Sequence, residues 1–232
     1  MVVSFLFAQG FRSHSNSIDM LRLSDPIVIP GTHETPQDFM NRALPLLGTV
    51  GQAYIERRGI PLEVAEAAGA RFTPNFAGRP AIVVALYGSD GNMTSVHGRY
   101  LTVTRRQDKM LTVGSGGGTI NVQGGWHVDP VIIVEGLFDA LSLSVCGFAS
   151  VATIGRWAPW LPEAVAGRTV WLAFDNGRPG EEEADRYSDC LRTSNVRRMA
   201  PPDRRKDWNT ALVKLGVDSI VQHVRSCLAN KK

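Results

Sequence analysis

At 232 residues, with 44% hydrophobic and 20% charged residues, the chain can bury a sizeable core in one large domain or two small ones and reads as an ordinary globular protein. A net charge of +3 is too mild to imply nucleic-acid affinity by itself, so any such affinity must come from local clusters. The cysteines, Cys146, Cys190 and Cys227, form no C-x-x-C pair, which leaves no expected zinc site or redox couple and fits a reducing cytosol.

The opening "MVVSFLFA" lacks a basic flank and is too short to span a bilayer, so it reads as a buried first strand; no membrane association is expected. A helical stretch follows, "PQDFMNRALPLLG". In "GQAYIERRGIPLEVAEAAG", Gly59 and Pro61 separate two short helices, with Pro61 placed to start the second and Gly69 to stop it. Next, "RPAIVVALYGSDGNMTSVHGRYLTVT" gives two β-rich runs joined by an Asp-Gly turn, a hairpin signal. A second hairpin is expected through "GSGGGTINVQGG". Its glycines are followed by no Lys-Ser or Lys-Thr, so the run reads as a turn and not as a phosphate loop.

The pattern changes near residue 126. Residues 1–125 read as a mixed α+β subdomain, of which 1–42 stay unassigned, and residues 126–232 as alternating strands and helices. That alternation runs through "VIIVEG", "LFDALSLSVCG", "ASVATIG", "APWLPEAVAG", "TVWLAFD", "GEEEADRYSDCLRT", "VRRMA", "DWNTALVKLG" and "SIVQHVRSCLANKK". The fold class is therefore α/β, a C-terminal Rossmann-like parallel sheet with helices on both faces, preceded by the mixed α+β subdomain. Ligands of such sheets gather beyond the carboxyl ends of the strands.

That edge is where the acids fall. Glu135 ends the first strand, Asp139 follows one helical turn later, Asp175 ends the third strand, and Asp207 follows the fourth. A carboxylate at the mouth of a buried strand loses solvation, which is tolerable if it binds a metal, accepts hydrogen bonds or is partly protonated. Carboxylates from several strands suit Mg²⁺ or Mn²⁺, hard cations that keep water for phosphate. The plainer alternative makes each acid an N-cap or a solvated strand end.

"VEGLFDAL", "AFDNGRPGEEEA" and "KDWNTAL", in this order, resemble the acidic motifs of the TOPRIM domain as found in phage- and plasmid-encoded primases of the DnaG type. The upstream "ALPLLGTVGQAYIERRGIP" and "GRPAIVVALYGSDGNMTSVHGRYL" resemble the subdomain preceding TOPRIM in those primases, so the resemblance covers roughly residues 43–215. It implies primer synthesis on single-stranded DNA from nucleoside triphosphates, dependent on Mg²⁺ or Mn²⁺. Glu135 and Asp139 match catalytic positions; Asp175, Asp207 and Glu135 match metal-holding ones. One position departs: where the family shows D-x-D, this chain has "DNG", so Gly177 stands in place of the second acid while Gly180 keeps its own. Water or one of Glu181 to Glu183 would have to substitute, although acids in the first turn of a helix also favour its dipole.

A template needs a cationic surface. Arg99, Arg105, Arg106, Lys109 and Lys206 are the expected nucleic-acid contacts, with Arg57, Arg58, Arg204 and Arg205 further candidates. Trp126, Trp157, Trp160 and Trp208 suit packing better than base stacking. No Cys/His zinc module or helicase phosphate loop accompanies the motifs, so three readings stay open: a domain of a larger protein, a compact stand-alone primase, or a subunit that obtains template binding from a partner such as a replicative helicase or a zinc-domain-bearing protein. Three classes remain open: a primase-type nucleotidyltransferase, a non-catalytic single-stranded-DNA-binding replication accessory, and a TOPRIM nuclease.

Overall fold

The structure is a computed structural model that describes residues 34–103 and 109–229. The expected strand "MVVSFLFA" and the side chains of Arg105 and Arg106 lie outside the described residues.

Helix α1 (Pro36–Arg42) begins at a capping box: the Thr35 hydroxyl accepts from Asp38 N while the Asp38 carboxylate accepts from Thr35 N. It ends sooner than the sequence suggests. Pro45 disfavours a helical Leu44, and Leu44 instead exchanges backbone hydrogen bonds of 2.7 and 2.9 Å with Phe72. Helices α2 (Val50–Glu56) and α3 (Leu62–Ala67) follow, with Pro61 at the N-cap of α3 as read. Strands β1 (Arg71–Phe76), β2 (Arg79–Tyr87), β3 (Met93–Tyr100) and β4 (Met110–Gly114) form an antiparallel sheet in that order, with β2 and β3 as the expected hairpin. Successive residues of β2 face opposite sides. Ala81 and Val83 pack towards α1 with Phe39 and Phe76, whereas Ile82, Val84 and Leu86 point into the core shared with the C-terminal half.

The C-terminal sheet takes the order β5-β7-β6-β8-β9, built from β5 (Ile120–Val122), β6 (Val131–Val134), β7 (Ser150–Ala152), β8 (Thr169–Leu172) and β9 (Asn195–Arg198). All but β5 run parallel. The hairpin expected through the glycine-rich run does not form. β4 pairs with β3, and the chain then crosses to the other sheet, where β5 pairs antiparallel with β7. The buried Ile120 and Val122 explain this, because both belong to the core between the two sheets.

Helices α4 (Leu137–Val145) and α7 (Trp208–Ala229, broken at Gly216) cover one face of this sheet. Helices α5 (Leu161–Ala164) and α6 (Arg178–Cys190) cover the other, as a parallel sheet requires. The tryptophans pack. Trp208 is fully buried and its indole donates to Ala173 O at 2.8 Å; Trp126 meets Trp160 at 5.2 Å and Trp157 meets Tyr187 at 4.9 Å between ring centres. Among the described residues no helix is long and apolar enough to cross a membrane.

Candidate active site

Because β6, β7, β8 and β9 are parallel, their carboxyl ends share one edge, and there Glu135, Asp139, Asp175 and Asp207 line a cavity of about 340 Å³. Backbone amides hold three of these acids. Glu135, one residue past β6, accepts from Asp175 N at 3.1 Å through Oε1 and so ties the ends of β6 and β8 together. Asp139, in the first turn of α4, accepts from Trp208 N at 3.1 Å. Asp207 accepts from Thr210 N at 2.7 Å and caps α7, so the N-cap reading holds for it without removing it from the cavity.

The acids act on one another. Burial raises the Asp139 carboxyl well above the usual range, and Asp175, Asp207 and Glu135 add repulsion against the opposing Trp208 amide. Asp175 is pushed up to about 6 by burial and then by Glu135 and Asp207, with Lys206 and Lys109 working the other way. The Lys206 ammonium stands 4.0 Å from Asp175 Oδ2, among the acids.

The facing wall comes from the N-terminal half. Arg99 on β3 and Arg58 beyond α2 both donate to the Tyr54 hydroxyl, at 3.3 and 3.0 Å. Arg58 also donates to Asn209 Oδ1 at 2.9 Å, and Asn209 Nδ2 returns a bond to Arg58 O at 2.9 Å. His97, buried beside Thr112, has its pKa lowered to about 3 by burial and by the charges of Arg99 and Arg156, so its ring is neutral. Arg99, Lys109 and Lys206, three of the expected template contacts, therefore line the same cavity as the acids. A larger cavity, about 600 Å³, lies between Tyr87, Trp126, Trp160 and Arg168; no Asp or Glu lines it.

Residues 132–212 match the family model described as Toprim-like. The chain carries a Toprim-like domain. Residues 31–115 match a second family model, described as a domain of unknown function (DUF7146). No curated protein matches the chain. Among solved structures, the primase fragment of the bacteriophage T7 primase-helicase protein is 20% identical, with a TM-score of 0.55 over 73% of this chain and 72% of that one. A DNA primase domain from Pseudomonas aeruginosa is 17% identical, with a TM-score of 0.63 over 82% and 76%. The zinc-binding and RNA polymerase domains of the Aquifex aeolicus primase are 14% identical, with a TM-score of 0.63 over 84% of this chain but only 62% of that one. The two halves together thus share the fold of DnaG-type primase catalytic cores.

Within the Toprim-like domain the D-x-D departure has a visible shape. Gly177 caps α6 at φ 100° and ψ 173°, a conformation costly for any other residue. Gly180 lets α6 sit against the end of β8: a Cβ there would lie 2.0 Å from Asp175 O. The three glutamates that follow are engaged by arginines, Glu181 with Arg198 at 2.8 Å, Glu182 with Arg178 at 2.6 Å, and Glu183 with Arg186.

The donors that remain suit a hard cation, since all are carboxylate oxygens, and burial together with their mutual repulsion raises two of their pKa values. Among the described residues, however, no three His, Cys, Asp or Glu side chains converge on one point as a metal cage would require. The fit is to a cation held by one or two carboxylates, with water and substrate completing its shell.

Sequence reasoning missed Tyr54, His97 and the role of Asn209. Tyr54 precedes Arg58 by one helical turn, the only signal it gives. Asn209 stood inside the "KDWN" motif without an assigned task, and its partner lies 151 positions away.

Proposed function

We propose that the protein is a primase-type nucleotidyltransferase that joins nucleoside triphosphates into short primers on single-stranded DNA. The observation that carries this is the single cleft in which carboxylates from separate strand ends face arginines, within a fold shared with primase catalytic cores. In this reading Arg58, Arg99 and Lys109 bind phosphate groups of nucleotide and template. Glu135 takes the proton of the attacking 3′-hydroxyl at the oxygen that Asp175 N does not hold. The new P–O bond forms at the α-phosphorus as pyrophosphate leaves. Asp139, whose buried carboxyl lies well above its usual range, orients the start of α7 by accepting from Trp208 N. Of the expected ligands Glu135, Asp175 and Asp207, the pair Asp175 and Asp207 would hold Mg²⁺ or Mn²⁺ with water and substrate completing its shell, and the cation when bound would neutralise charge on the leaving pyrophosphate. A replicative helicase or zinc-domain-bearing partner would bring the template, in the cytoplasm of a host carrying a phage or plasmid.

Gly177 favours a second reading, a non-catalytic single-stranded-DNA-binding accessory, because it removes one acid from the cluster. One assay separates them: single-stranded DNA with labelled NTPs or dNTPs in Mg²⁺ or Mn²⁺, scored for extension and for cleavage. Extension by the wild type, lost roughly 100-fold or more in Glu135→Gln, supports the primase. The amide keeps an oxygen for Asp175 N, so the variant should melt as the wild type does. Binding with neither product supports the accessory, and cleavage alone a nuclease.

A further inference from the structure

We propose that Tyr54 is a positioning residue whose hydroxyl sets Arg58 and Arg99 side by side as a two-guanidinium clamp for one phosphate group. The clamp deepens the nucleotidyltransferase reading, on which it rests, by assigning the basic wall a ligand chemistry and an organiser. Tyr54 is buried on α2, where its ring packs edge-on against Phe138 at 5.9 Å. Its oxygen accepts from Arg58 NH2 and Arg99 Nε, so groups that arrive from different elements are pinned to one atom. Like charges this close repel. The arrangement is held from behind: Arg58 lies 4.3 Å above the Phe138 ring, and its NH1 is anchored by Asn209. Arg99 gives only Nε to the protein, and neither of its terminal nitrogens has an acceptor among the described residues. A phosphate supplies the missing acceptors and the negative charge that the pair lacks, and planar guanidinium forks match its oxygens.

Phosphate could come from a triphosphate or from the DNA backbone, and the test has an arm for each. Tyr54→Phe removes one oxygen and keeps the ring contacts. Affinity is measured for inorganic tripolyphosphate in Mg²⁺ and for labelled oligothymidylate, alongside thermal unfolding and primer synthesis. The expected result is about tenfold weaker tripolyphosphate binding, a KM for nucleotide that rises more than kcat falls, and an unfolding midpoint near that of the wild type. Loss confined to the oligothymidylate arm supports the clamp with DNA as its ligand. Unchanged binding in both arms, with a native fold, overturns it. Should Tyr54→Phe fail to fold, Arg58→Lys and Arg99→Lys carry the test: a clamp makes their losses non-additive, and fully additive losses overturn it. A wild type that binds tripolyphosphate through Tyr54 but makes no primer would sink the function and leave the clamp standing. Primer synthesis indifferent to Tyr54 in every arm would do the reverse.

Discussion

The two walls of the cleft are built on different principles. On the C-terminal wall each acid accepts from a backbone amide, Glu135 and Asp139 from a distant element and Asp207 from the first turn of the helix it caps. On the N-terminal wall Arg58 and Arg99 are held by other side chains, Tyr54 and Asn209. An acid fixed by the main chain moves only if the fold moves, whereas an arginine fixed by a phenol and an amide can be freed by a single substitution. The acid wall accumulates repulsion that the fold must carry; the basic wall is set by a few long-range contacts.

If the acid wall is as rigid as this, disturbing its backbone should have the largest effect. Gly180→Ala places a methyl group 2.0 Å from Asp175 O, so α6 must shift away from β8. A loss of ~3 kcal/mol is expected, read as a fall of several degrees in the unfolding midpoint, together with weakened activity. A variant that melted like the wild type would break the contrast between the walls.

A titration sharpens it next. Asp175 has its folded pKa raised from 3.8 to about 6, so between those values the folded state binds more protons than the unfolded one and stability falls as pH rises. Without metal at pH 7, Asp175→Asn should therefore be more stable than the wild type, by at most about 3 kcal/mol. The gap should close as the pH is lowered towards 4. Thermal unfolding across that range tests it, and a gap that widened on acidification would show that the fold lowers the Asp175 pKa instead of raising it.

The smallest effect is expected at Gly177→Asp, which adds an acid where a Cβ would meet nothing within 4 Å. The positive φ should cost ~1–3 kcal/mol in metal-free buffer, and Mg²⁺ should then raise the variant's midpoint more than the wild type's. Equal Mg²⁺ responses would mean that residue 177 does not face the cation.

The difference between the walls also explains what the sequence revealed. Glu135, Asp175 and Asp207 were legible because each follows an apolar strand or opens a helix, and strand ends of a parallel sheet meet by topology alone. Arg99 was legible from its motif. Tyr54 and Asn209 were not, since their work depends on a separation of 45 residues to Arg99 and 151 to Arg58 that no local pattern encodes. The antiparallel turn of β5 was hidden for a related reason: a glycine-rich run marks a change of direction but not which sheet receives the next strand.

Ile82, Val84 and Leu86 of the first sheet share one core with Ile132, Val134, Leu141 and Trp208 of the second. The aperture between the walls is thus spaced by close-packed side-chain volume, which resists compression and opening alike. Neither half owns that seam. Transplanting the C-terminal half onto a foreign N-terminal unit would leave an apolar face without its counterpart, and tuning the gap for a bulkier ligand falls to the residues of the seam as much as to those that line the cleft.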